Sequence, residues 1–147
     1  MKKVVIDTNV FISALLGKEG SYARIILDAV FDGKFLPLMG NALFNEYSDV
    51  LNREELFNKC PLDGGERLEL FASFLSCCKW TKIYFKWRPN LKDESDNHIV
   101  ELAVAGGAKR IITDNTKDFL SSELRFSGLK VITPEIFLKE AKWEQLQ

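Results

Sequence analysis

The sequence predicts an α/β fold on a mainly parallel sheet. Short β-branched, apolar runs alternate with helix-length segments along all 147 residues. Turn and stop residues such as Gly33, Asp63-Gly64-Gly65 and Gly106-Gly107 stand at the joints between them. The length suits one domain, residues 1–147, with room for a real core. An apolar content of 46% and a charged content of 28% are ordinary for a soluble globular chain.

Lys3 to Ile6 is a short buried-strand pattern, and Asp7-Thr8-Asn9 ends it and starts a helix. Val10 to Leu16 and Tyr22 to Phe31 are predicted helices, broken apart at Gly17 and Gly20. Gly33 stops the second, and Phe35 to Met39 is the second strand. Asn41 to Asn52 is a helix, Arg53 to Lys59 a short one, and Glu66 to Cys77 a further one. Lys79 to Phe85 is the predicted third strand, followed by a loop at Pro89. Asp96 to Ala105 is a helix stopped by Gly106-Gly107. Arg110 to Thr113 is the fourth strand, Thr116 to Ser122 a short helix or turn, and Lys130 to Ile132 the fifth strand. Pro134, favoured early in a helix, opens the last one.

Several classes are disfavoured at this level. No apolar run reaches the roughly 20 residues of a membrane span, and the first strand follows Met1 too closely for a signal peptide. A cytoplasmic location without membrane contact is the expectation. Cys60, Cys77 and Cys78 lack zinc-ligand spacing and are expected to be structural thiols. The net charge of −1 and a pI near 5.9 argue weakly against a generic polyanion binder. An acidic pocket can nevertheless mask basic surface elsewhere.

Four acidic stretches stand out: Asp7, Glu46, Asp96 and the run from Asp114 to Asp118. Asp7 and Asp114 each follow a strand, so both belong on the rim where open α/β sheets bind ligands. On the Asn41 helix, Glu46 flanks the apolar stripe at roughly 100° from its centre, and Asp49 lies at roughly 160°, on the solvated face. Asp96 shares one helix face with Ile99, Val100 and Ala103. Taken singly, each acid has an ordinary role: Asp7 and Asp96 as helix-start acids, Glu46 as a boundary acid, Asp114 and Asp118 as turn acids. Their convergence on one rim points instead to an acidic pocket, whose mutual repulsion calls for a divalent cation or for protons.

The full set resembles the PIN-domain family over nearly the whole chain. VVIDTNVFISALL is similar to the family's opening, and DESDNHIVELAVAGGAKRIITDNTKDF to its most characteristic segment. LKVITPEIFL is similar to its last strand and helix. The resemblance implies that Asp7, Glu46 and Asp96 are the first three acids, supported by Thr8, Asn9 and Thr113. At the fourth, the usual family position holds Asn115, flanked by Asp114 and Asp118, with Asp114 preferred as the direct ligand. The subgroup resembled is that of toxin components of toxin–antitoxin systems. It implies an endoribonuclease, a sheet ordered 3-2-1-4-5, a homodimer and an antitoxin protein as partner.

Oxygen-only ligands suit Mg²⁺ or Mn²⁺, one or two ions, which serve phosphodiester hydrolysis. The single histidine, His98, lies about 200° around its helix from Asp96 and is expected to face away from the site as a surface residue. Ser-His-Asp and Cys-His schemes thus lack a base. In KWTKIYFKWRPNLK cations alternate with aromatics, as in surfaces that bind unpaired RNA, and also as in a half-buried strand. Trp87 and Arg88, past the expected strand end, are the better RNA-contact candidates. Competing readings are a Mg-dependent phosphatase or flap-type DNA nuclease, and a non-catalytic module binding RNA or a partner through metal.

Overall fold

The computed structural model describes residues 2–17, 20–83, 97–119 and 128–146. Its five described strands are β1 (Lys2–Ile6), β2 (Phe35–Met39), β3 (Lys79–Trp80), β4 (Arg110–Ile112) and β5 (Lys130–Ile132). The helices are α1 (Thr8–Leu16), α2 (Tyr22–Phe31), α3 (Asn41–Leu51), α4 (Gly64–Cys77), α5 (Asn97–Gly106) and α6 (Pro134–Leu146). Short 3₁₀ turns span Glu54–Phe57 and Thr116–Phe119. None of the described helices is long and apolar enough to cross a membrane.

All pairings are parallel and the order is β3-β2-β1-β4-β5. The order reverses beside β1, so right-handed crossovers place helices on both faces, giving three layers. On one side α1 packs on α2, and α2 on α6; on the other, α5 lies over β1, β2 and β4 and touches α3. Val4, Val5, Ile111 and Ile112 are fully buried between these layers, as the near-continuous apolar runs of a doubly covered sheet require.

Local chemistry fixes the joints. Asp63 and Glu66 form a reciprocal capping box that starts α4 two residues earlier than its apolar pattern suggests. Gly107 adopts φ +76° after α5, and a side chain at Gly106 would collide with Leu38, so the glycine pair both ends the helix and lets it approach β2. The predicted third strand is too long. Pairing with β2 covers only Leu38–Lys79 and Met39–Trp80, and the last described ladder bond runs from Thr81 N to Met39 O at 2.8 Å. β2 itself ends there, because Gly40 turns the chain into α3, so beyond the Thr81 bond Lys82 and Ile83 have no β2 residue to pair with. The rest of the expected strand, Tyr84 and Phe85, lies outside the described residues, as do Asp96, Trp87, Arg88 and Ser122.

Candidate active site

Asp7 follows β1 directly and is 5% exposed. It caps α1, its Oδ1 accepting from Thr8 N at 2.8 Å. Its Oδ2 accepts from Thr113 Oγ1 at 2.8 Å and from Asn9 Nδ2 at 3.3 Å. Because β1 and β4 are neighbours in register, Ile6 beside Ile112, the residues that follow them meet. Thr113 Oγ1 gives its one proton to Asp7 and accepts from Asn9 Nδ2 at 3.2 Å and Asn115 N at 3.1 Å. Asn9 Oδ1 in turn accepts from Asp114 N at 3.1 Å. Thr113 and Asn9 thus act as the supporting polar pair, and Asn115 joins through its backbone. Thr8 is buried, and its Oγ1 has no hydrogen-bond partner among the described residues.

Burial is the main cause that raises the Asp7 pKa from 3.8 to about 6, with the charge of Glu46 adding to it. The hydrogen bonds from Thr113 and Thr8 and the nearby His98 pull the other way. Glu46 therefore lies close enough to act on Asp7 electrostatically. Its placement follows from its neighbour Tyr47, which is fully buried and donates from Oη to Ile6 O at 2.6 Å. That bond pins α3 to the end of β1, one residue before Asp7. Phe71 and Phe74 stack on the Tyr47 ring at 5.5 and 5.9 Å. Asp49, by contrast, faces solvent and pairs with Arg53 at 2.7 Å.

His98 does not face away from the site. Its Nε2 donates to Glu46 Oε2 at 2.8 Å, with the two side chains 20% and 33% exposed. A helical wheel measures direction relative to one helix; it does not tell where the neighbouring helix stands. Here α3 packs against α5, so the flank of α5 that carries His98 meets the flank of α3 that carries Glu46. The clue available in the sequence was that Glu46 is also a flank position.

Asp114 is exposed, and its Oδ2 accepts from Ser13 Oγ at 3.0 Å. Ser13 stands one turn after Asn9 on α1, so the same helix face holds both the backbone and the side chain of Asp114. The carboxylate borders an open cleft of about 340 Å³ with Ser13, Tyr22 and Glu135, whereas Glu46 lies toward α5. Asp118 falls in the Thr116–Phe119 turn, and its side chain, like Asp96, is outside the described set. Among the described residues no three His, Cys, Asp or Glu side chains form a group able to hold a metal. The described pair still fits a hard divalent cation in kind: Asp7 and Glu46 offer only oxygen, and the Glu46 charge disfavours charge on Asp7.

A PIN-domain family profile matches residues 3–117. The chain is 30% identical over 148 aligned positions to the uncharacterized protein MJ1680 of Methanocaldococcus jannaschii, with 94% of this chain and 90% of that protein covered. Its fold is similar to that of VapBC2 from Rickettsia felis, solved bound to a DNA fragment from their promoter, at a TM-score of 0.58 and 16% identity over 89% of this chain and 98% of that one. It is also similar to PAE2754 from Pyrobaculum aerophilum, at a TM-score of 0.59 and 13% identity over 95% and 88% of the two chains. The profile spans the strand-end network and both members of the Glu46–His98 pair, and the chain belongs to the PIN-domain family.

Proposed function

We propose that this chain, as one domain over residues 1–147, is a Mg²⁺- or Mn²⁺-dependent endoribonuclease that hydrolyses single-stranded RNA. In the same reading it is the toxin of a toxin–antitoxin pair, a cytoplasmic homodimer held in check by an antitoxin protein. The observation that supports this most is a buried carboxylate, Asp7, fixed by three donors and left beside a second carboxylate, Glu46. The fold shared with VapBC2 supports the toxin assignment.

Asp7 and Glu46 would hold the cation, with Asp96 and one of Asp114 and Asp118 completing the set. When bound, such an ion supplies an activated water and neutralises charge on the phosphodiester. Thr113 and Asn9 keep the Asp7 carboxylate in one orientation, so it does not have to be ordered when substrate arrives. His98 holds Glu46 in reach of Asp7. No side-chain nucleophile takes part.

The test is cleavage of labelled single-stranded RNA and DNA across a Mg²⁺ and Mn²⁺ titration, with chelator as control. Metal-dependent cuts in RNA alone are expected. Cuts in DNA alone point to the flap-nuclease reading. Metal-dependent binding without cuts points to the non-catalytic one.

A further inference from the structure

We propose that the cavity beside the Glu46–His98 pair is a nucleobase subsite, in which an unpaired base of the RNA stacks on Trp80 while Lys82 meets the adjoining phosphate. This rests on the ribonuclease reading above. The cavity measures about 480 Å³, ample for a nucleotide, and is walled by the start of α3, the chain just after β3, and α5.

Three observations converge there. First, Trp80 is 48% exposed although it stands in the sheet, because β3 is an edge strand of two residues. Phe44 supports its ring at 5.8 Å between centroids, and the same indole lines the cavity. A large aromatic fixed in this way is a stacking platform, and stacking accepts any base. Second, Lys82 is exposed and lines the same cavity, giving a cation where the backbone of a stacked nucleotide would run. Third, both helical walls lead straight to the candidate site. Ala42 in the wall is four residues before Glu46, one turn along the same face of α3. On α5 the wall residue Glu101 is one turn beyond His98, which itself lines the cavity. A base seated on Trp80 therefore belongs to a nucleotide next to the phosphate at Asp7 and Glu46.

The test uses the full chain carrying Asp7→Asn, which should not cut, and a short fluorescein-labelled single-stranded RNA. Trp80→Ala in that background should weaken binding about 5- to 150-fold, the range of a lost base stack, and Trp80→Phe much less. Lys82→Ala should lower the slope of log affinity against log salt by about 0.7, one phosphate contact on a single strand. Thermal melting checks that each variant folds; if Trp80→Ala does not, Trp80→Phe and Lys82→Ala decide. RNA binding that ignores both positions overturns the subsite while leaving the ribonuclease reading intact, provided the unsubstituted chain cleaves RNA. Trp80-dependent binding by a chain that never cleaves keeps the subsite and overturns the ribonuclease. Absence of RNA binding overturns both.

Discussion

On the strand side of the site, Asp7 is 5% exposed and three donors fix its carboxylate. On the helix side, the Glu46 side chain is 33% exposed and is paired with His98, itself on a helix flank. The first half is built before any ligand arrives. Its hydrogen bonds span residues over a hundred positions apart and tie two strand ends together. The second half rests on partly exposed side chains on two helices, with α3 anchored through Tyr47. Breaking the strand-side hydrogen bonds at Thr113 should therefore cost both stability and activity, and breaking the helix side should touch activity and leave the fold nearly unchanged.

The largest effect is expected from Asp7→Asn, which should abolish metal-dependent cleavage. It should also alter stability against pH. The unfolded Asp7 titrates near 3.8 and the folded one near 6, so between these values the folded chain holds a proton that the unfolded chain has lost. The metal-free protein should therefore lose stability as pH rises from about 4 to about 6, on the order of 3 kcal/mol. Urea unfolding across that range should show the fall in the parent chain and a flatter profile in Asp7→Asn. A parent profile that rises instead would mean Asp7 is not an acid suppressed by burial.

Thr113→Val comes next. It removes the hydroxyl that donates to Asp7 and accepts from Asn9 Nδ2 and Asn115 N. Thermal unfolding should register a loss of about 1–3 kcal/mol, and cleavage should fall about 10- to 100-fold. His98→Gln, on the helix side, should change stability by less than about 1 kcal/mol, since both side chains of the pair are partly exposed. Equal losses for Thr113→Val and His98→Gln would erase the contrast between the two halves. Smallest of all should be the effect of Asp114→Asn on folding, because the carboxylate is exposed and, among the described residues, bonded laterally to Ser13. Comparing Asp114→Asn with Asp118→Asn in a Mn²⁺ titration separates a direct ligand, whose loss weakens metal binding strongly, from a supporting acid.

How much of this was readable in the sequence depends on which physical rule places each residue. Strand ends were legible: Asp7 and Asp114 follow apolar strands, and parallel strands with right-handed crossovers bring such ends to one rim, whereas the supporting role of Thr113 came with the family resemblance. The sheet order came with the family resemblance. Glu46 and Asp49 were separable by helix period alone, and the structure gives them the surroundings that period implies. His98 was not, because its partner depends on how α3 and α5 pack. The end of β3 was not legible either. The pattern of KIYF continues a strand, but a strand lasts only as long as its neighbour, and β2 stops at Met39. The direction of the Asp114 carboxylate depends on Ser13 from a different element, which a turn rule does not reach.

The proposed function has Asp7 and Glu46 sharing one divalent cation. It is tested most directly by the melting temperature of the chain as Mn²⁺ is titrated, in the parent, in Glu46→Gln and in Asp49→Asn. An ion held by the folded carboxylates and not by the unfolded chain raises the melting temperature by mass action. The parent and Asp49→Asn should shift alike, and Glu46→Gln should shift much less. Equal shifts for Glu46→Gln and Asp49→Asn would contradict the shared site.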